Sequence, residues 1–352
     1  MLPDVVVLNL HRRYTGVSAT VKALLPRQRQ TLAIGLWDQG KLELPDCLGL
    51  WALLRWGWTR PHKGPWRIWH ARRDNEILLG LVLRSLLRQP WQVIFTSAAP
   101  KRPGWWLRQL IRCTDLVIAT SPRSAGFLER CDAVIFHGVD CEQFQPAANR
   151  QAALAEVGME GLKCIASFGR IRPSKGTDLL VEALVALLPQ FPGWVGVITG
   201  LCQRRDQAYL AALKQQIALA GLEQRIYFVG DLHPIDIRRW YQRASICVAA
   251  SRREGFGLTP LEAMASGCVP VTSQSGAWPW IVRPEFGLIF ENGDHLQLAA
   301  ALRDLMSDEG RLQAMSVKAR MVALQEFSIE EEAAQINSLY STSLTKSRGQ
   351  QQ

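Results

Sequence analysis

Two glutamates eight positions apart, Glu254 and Glu262, bracket the stretch EGFGLTPLE. Gly255-Phe256-Gly257 lets the chain turn tightly and brings backbone amides close to a ligand. Thr259-Pro260 then reads as the start of a helix. With Thr259 as N-cap, Pro260 in the first helical position and Glu262 in the third, the stretch is a capping box, and this alone accounts for Glu262. Glu254 has no such local account, because it follows an apolar run and caps nothing. A carboxylate, a run of amides, a helix end with partial positive charge and a second carboxylate suit a ligand with hydroxyls at both ends and phosphate between, such as a nucleotide-sugar. Glu262 stays open between cap and ligand contact.

A second group of residues points the same way. SFGRIRPSKGTDLL (167–180) leaves an apolar run through Gly169, enters a helical pattern after Gly176, and carries Arg170, Arg172 and Lys175 on the turn. Cations at a strand–helix junction can clamp a diphosphate, although a basic turn of this kind is more often merely solvated. The order is not that of a Walker A loop, since Lys175 precedes its glycine.

The elements that must hold these turns are short apolar runs alternating with amphipathic stretches. In the first half, strands are expected at 5–10, 67–70, 92–97, 115–120 and 133–138, with helices over 16–26 (stopped by Pro26), 77–88 and 103–113. In the second, strands are expected at 163–168, 196–200, 225–230, 245–250, 269–273 and 287–290, with helices near 178–189, 205–220, 234–243, 260–266, 294–306 and 309–326. This β-then-α order implies parallel sheets covered on both faces, an α/β class of two doubly wound units. The expected divisions are 1–145, 146–327, a helix over 328–345 returning to the first domain, and a disordered tail over 346–352. Ligands of such sheets sit beyond the carboxyl ends of the strands, and a cleft between the two units is the expected site.

With 352 residues, 48% hydrophobic and 20% charged, the chain has the composition of a globular protein. Its eight cysteines include no C-x-x-C pair, as expected of buried free thiols in a reducing compartment. The opening MLPDVVVLNLHRR lacks the signal-peptide pattern, and the longest apolar run, ILLGLVL, ends at Arg84 without reaching a spanning length.

FGRIRPSKG followed by EGFGLTPLEAMASGCVPV resembles the retaining glycosyltransferases of family 4, of GT-B fold, whose E-x7-E signature fits Glu254 and Glu262. TGV (15–17) is similar to that family's glycine loop, with one glycine in place of two, and HGVD (137–140) to its N-G-V-D. RIWHARRDNE, VIFTSAA and VIFHGVD narrow the resemblance to lipopolysaccharide core mannosyltransferases. The resemblance implies two Rossmann-like domains facing across a cleft, and transfer of mannose from GDP-mannose to the Kdo-bearing inner core of a lipopolysaccharide precursor. It assigns Arg170 and Lys175 to the diphosphate, Glu262 to the ribose, Glu254 to the hexose, and the amides of Phe256, Gly257 and Leu258 to phosphate or sugar. Gly16 would approach the donor and His70 the hexose. The chain has no Asp-x-Asp, so no metal or other cofactor is expected, with the cations as charge sink. His137 replaces the usual Asn and receives no role.

The charge is uneven. Residues 1–140 hold 20 Arg and Lys against 10 acids, while the remainder is balanced at 21 and 21. Residues 51–73 carry five tryptophans and 99–113 two more beside four cations. Such mixtures suit an anionic membrane surface and a lipid-linked saccharide acceptor, the place being peripheral on the cytoplasmic face of an inner membrane. Several of these tryptophans also read as core. RRDNE (72–76) either lines an acceptor pocket or caps the next helix through Asp74 or Asn75. Alternatives are a UDP- or ADP-sugar donor on the same fold, a basic nucleic-acid binder, and an inactive lipid-surface scaffold. No nucleic-acid motif supports the second, and the four charged site residues argue against the third.

Overall fold

A computed structural model describes residues 3–11, 16–39, 42–45, 47–59 and 61–345. The chain divides into two compact units. Unit 1 runs through Gly138 and includes the segment from Ile329; unit 2 is Val139–Ser328. The tail 346–352 and Thr15 of the glycine loop lie outside the described residues.

Unit 1 contains strands β1 (Val5–Asn9), β2 (Ile34–Asp38), β3 (Arg67–Ala71), β4 (Trp91–Ser97), β5 (Leu116–Ala119) and β6 (Ala133–Val134). Among the described residues they form a parallel sheet in the order β2-β1-β3-β4-β5-β6. Its helices are α1 (Gly16–Gln28), α2 (Leu50–Trp56), α3 (Asp74–Leu81, continued as a π-turn over Val82–Leu86), α4 (Trp105–Arg112) and α5 (Pro122–Ala125). Val5, Val7, Ile68, Ile94 and Ile118 pack on one face with Val21, Leu24 and Leu25 of α1. Val6, Leu8, Trp69, Val93 and Phe95 pack on the other with Leu53 of α2, Ile77 of α3, and Leu110 and Ile111 of α4. Both faces are covered, which is why these strands read as unbroken apolar runs.

Unit 2 contains β7 (Lys163–Phe168), β8 (Trp194–Thr199), β9 (Ile226–Gly230), β10 (Ala244–Ala249), β11 (Val269–Ser273) and β12 (Leu288–Phe290). They pair in parallel, among the described residues, in the order β12-β11-β10-β7-β8-β9. The covering helices are α6 (Arg150–Ala155), α7 (Thr177–Leu187), α8 (Gln207–Leu219), α9 (Pro234–Arg243), α10 (Thr259–Ala265), α11 (Trp278–Ile281), α12 (His295–Ser307) and α13 (Glu309–Glu326). Leu154 of α6, Trp240 and Tyr241 of α9 and Ala263 of α10 lie on one face. Residues of α7, α8, α12 and α13 lie on the other. Cys141, Cys164, Cys247 and Cys268 are buried free thiols, whereas Cys47 and Cys113 are exposed.

Three local expectations differ from the structure. Strand β2 over Ile34–Asp38 is not among the expected strands, and it contains Gly35. That glycine is required by packing, since a side chain there would meet Leu48 Cδ1 at 2.6 Å. Helix α1 runs through Pro26 to Gln28. Proline removes only one hydrogen bond in a last turn, and Leu24, Leu25 and Gln28 are buried on either side of it. The 133–138 run pairs only over Ala133–Val134.

The last helix, α14 (Ile329–Thr345), belongs to unit 1. Ile329, Ala333, Ile336, Tyr340 and Leu344 form one stripe at helical spacing and join the core beside α1. Polar contacts fix its position. Gln28 Nε2 donates to Asn337 Oδ1 (3.1 Å), and Asn337 Nδ2 donates to Gln28 O (3.0 Å) and Thr31 Oγ1 (2.6 Å). Glu332 accepts from Gly138 N (2.8 Å) and lies 2.8 Å from His137 Nδ1.

Tyr340 bears on a site expectation. His70 is fully buried, with Nδ1 against the Tyr340 hydroxyl and Nε2 2.7 Å from Thr96 Oγ1. Both ring nitrogens are thus engaged by Tyr340 and Thr96, whereas the resemblance implies a place close to the hexose. Side chains alternate along β3, and His70 shares the Ile68 face that α14 covers. Burial, then the charge of Arg72, holds its pKa well below the ordinary value of 6.5. The folded protein keeps this imidazole neutral, while the unfolded chain takes up a proton below that pH. Its contribution to stability is thus intact above 6.5 and is lost as pH falls toward the folded value. Tyr340→Phe is expected to lower unfolding free energy in urea by about 1–3 kcal/mol. The wild type should weaken between pH 7.5 and 5.5, and His70→Asn should weaken less over that range.

Candidate functional site

In unit 2 the chain passes from β7 to β8 and β9 on one side, and from β10 to β11 and β12 on the other, while β7 and β10 are neighbours. The turns leaving their carboxyl ends diverge, and this switch point is where an open α/β sheet offers a crevice. Those two turns are 169–176 and 250–258, the two stretches singled out by sequence. They carry Arg170, Lys175, Glu254, Phe256, Gly257 and Leu258, and Glu262 follows on α10, the helix into which the second turn leads.

Glycines allow the close approach. Gly176 has φ 69°, and a Cβ there would lie 2.1 Å from Ala250 O. The turn Pro173–Lys175 ends at this residue. Lys175 Nζ then lies 2.5 Å from Glu254 Oε2, which also accepts from Ser251 Oγ at 3.3 Å. Both charged side chains are partly buried. Arg170 is exposed and, among the described residues, has no ion-pair partner. A shallow hollow at this point is lined by Ser167, Gly169, Arg170, Lys175, Ser251, Thr259 and Trp278, among others. Gly257 has φ 84°, and a side chain there would meet Trp278 Nε1 at 2.5 Å and Glu254 Cγ at 2.7 Å. Trp278 Nε1 donates instead to Gly257 O at 2.9 Å, and Phe256 is buried below.

Glu262 is not a capping residue. Helix α10 begins at Thr259 with Leu258 as N-cap, and no side chain caps it. Tyr241 donates its hydroxyl hydrogen to Glu262 Oε2 at 2.7 Å, and its ring stacks on Phe168 at the end of β7 (3.7 Å, 17°). A buried phenol needs an acceptor, and this demand from α9 draws the carboxylate away from the helix end. Burial raises the Glu262 pKa above the ordinary carboxylate range, and the Tyr241 hydrogen bond offsets part of that rise.

The remaining expected residues lie in unit 1. Gly16 opens α1, exposed, and a Cβ there would touch nothing, so packing makes no demand for glycine. Asp74 and Asn75 do not cap α3. Glu76, which sequence reasoning left unassigned, is buried and accepts from Leu10 N (3.2 Å) and Arg72 N (2.7 Å). It thereby ties the turns after β1 and β3 together. Tyr241, Ser251 and Trp278 also went unassigned. Their partners are set by the fold: a Cβ at Gly276, two residues before Trp278, would lie 2.6 Å from Phe256 O. Among the described residues no cluster of three or more His, Cys, Asp or Glu could hold a metal ion.

The glycosyl transferases group 1 model matches residues 151–322, which include the two turns after β7 and β10 and helix α10. The chain is 39% identical over 353 residues to the lipopolysaccharide core biosynthesis mannosyltransferase LpcC of Rhizobium leguminosarum bv. viciae, covering 98% of each. It is 38% identical to the corresponding LpsB of Rhizobium meliloti (strain 1021), covering 96% of this chain and 97% of that protein. The chain belongs to the glycosyl transferases group 1 family. The solved structure of Anabaena Alr3699/HepE in complex with UDP superposes with a TM-score of 0.81 at 19% identity, over 96% of this chain and 99% of that one. The fold of this glycosyltransferase is accordingly GT-B.

Tyr241→Phe is expected to raise the Glu262 pKa further, because the one offsetting hydrogen bond is lost; a carboxyl NMR titration reads this directly. Gly257→Ala should weaken the 254–258 turn by about 1–3 kcal/mol through its positive φ, detectable as faster amide exchange confined to that turn.

Proposed function

We propose that the protein transfers mannose, with retention, from GDP-mannose to the Kdo region of a lipopolysaccharide inner-core precursor. The observation that carries this reading is near-full-length identity of 39% and 38% to two proteins named lipopolysaccharide core mannosyltransferases. The switch-point geometry supplies the chemistry. The C1–O bond to the diphosphate breaks as the bond from C1 to the acceptor oxygen forms, and the acceptor's proton passes to the leaving phosphate. Lys175 and Arg170 stabilise the charge that develops there. Glu254, adjacent to Lys175, takes hexose hydroxyls, and Glu262 takes the ribose. Amides of Phe256, Gly257 and Leu258 face phosphate or sugar, and Gly16 is a further donor contact. No metal is required in this scheme, because the cations act as charge sink.

Unit 2 then serves the donor and unit 1 the acceptor, at the cytoplasmic face of an inner membrane. No helix among the described residues is long and apolar enough to cross a membrane. Residues 50–112 carry twelve Arg and Lys against two acids. The helices over the Trp69 face of the unit 1 sheet, α2 to α4, present exposed Trp51, Trp56, Leu86, Trp105 and Trp106. Indoles beside cations suit anionic headgroups. Trp69 and Trp91, by contrast, are core.

Incubation with GDP-mannose and a Kdo-bearing lipid A precursor should give a product one hexose heavier, at a rate unaffected by EDTA. UDP- or ADP-sugars giving that product in place of GDP-mannose would transfer the reading to the alternative donor. Arg170→Ala and Lys175→Ala should each cost about a hundredfold in kcat. Binding to phosphatidylglycerol vesicles should fall with added salt and with Trp105→Ser/Trp106→Ser; salt-insensitive or absent binding would remove the membrane from the proposal.

A further inference from the structure

Arg252 lies two residues before Glu254, and its side chain reaches the other turn. Nη1 and Nη2 donate to the two oxygens of Asp178 at 2.8 and 2.6 Å, a two-point fork that fixes direction as well as distance. Nη1 also donates to Pro173 O at 2.6 Å, and the backbone N of Arg252 to Ser174 O at 3.0 Å. Asp178, in the first turn of α7, accepts further from the Tyr209 hydroxyl of α8 at 2.7 Å. The carbonyl of Arg252 accepts from Asn292 Nδ2 at 2.7 Å. The turn that carries Arg170 and Lys175 is thus fastened to the turn that carries Glu254 at three successive places, Pro173, Ser174 and Asp178. The hollow lined by Arg170 and Lys175 is not lined by Arg252.

We propose that Arg252, through Asp178, is a positioning residue that sets the separation of Lys175 and Glu254, and so the register between diphosphate and hexose. This rests on the reading of these turns as the donor site. A fastening of this kind is needed because both turns leave the sheet in diverging directions and one of them holds two cations in proximity. Arg and Asp support each other electrostatically. Burial tends to raise the Asp178 pKa, but hydrogen bonds from Arg252 and Tyr209 outweigh it and the carboxyl lies below its ordinary value. The same hydrogen bond raises that of Arg252.

The test uses the full chain in two arms. In the first, without donor, hydrogen exchange is followed in Arg252→Lys and Asp178→Asn, which preserve size and differ in what they break. Lysine keeps the charge but cannot form the fork. Both variants should exchange faster over 169–177 and 251–258 and unchanged elsewhere, with thermal midpoints close to wild type. Unaltered exchange in those two turns would overturn the proposal. In the second arm, turnover of GDP-mannose should show a roughly ten- to hundredfold loss of kcat in both variants with little change in KM. Placed in a Lys175→Ala background, Arg252→Lys should cost less than about threefold more, because its effect passes through Lys175. Equal losses in both backgrounds would mean a general structural role and would also overturn it. If the wild type fails to turn over GDP-mannose, the donor reading fails, and the exchange arm still decides whether the clamp exists.

Discussion

The contact between Lys175 and Glu254 is the constraint on which the rest of unit 2 depends. Seventy-nine residues separate them, and they meet because β7 and β10 are adjacent in the sheet. Each turn has to bend back over the strand ends, and each does so at a glycine that no other residue can replace without a clash, Gly176 against Ala250 O and Gly257 against Trp278. A partly buried ion pair contributes modest net stability, since desolvation offsets most of its attraction. Its value lies in geometry: it fixes a cation beside a carboxylate where the two turns meet.

Buried and half-buried acids fasten turns throughout the molecule. Glu76 gathers the turns after β1 and β3, Glu332 holds His137 and Gly138, Asp178 receives Arg252, and Glu262 receives Tyr241. Parallel sheets leave irregular backbone at the carboxyl ends of their strands, and that backbone has donors with no ladder to join. A carboxylate with two accepting oxygens can satisfy two of them at once. The same property that makes these ends good binding sites makes them dependent on such fasteners.

Much of the architecture was legible locally. Apolar runs of five or six residues followed by amphipathic stretches disclosed nearly all the strands and helices of unit 2, because burial on both faces removes alternation and leaves an unmistakable block. Ile34–Asp38 is not among the expected strands, and its Gly35 is there for the sake of a neighbour, Leu48, that no window around the strand reveals. Glu254 stood out by elimination, since no local role existed for it. Glu262 was ambiguous, because a capping box and a tertiary contact use the same residue.

Sequence alone determined the two α/β halves, the glycine turns, the two charged stretches and their order, since these follow from periodicity and backbone sterics within a few residues. Tertiary structure alone decided which partners the polar groups meet. His70 is enclosed by Tyr340, 270 residues away, and Glu262 is turned toward Tyr241 on another helix. A buried polar atom takes whatever partner the fold brings within hydrogen-bond reach, and that partner is set by strand order and helix docking, which spacing along the chain does not encode.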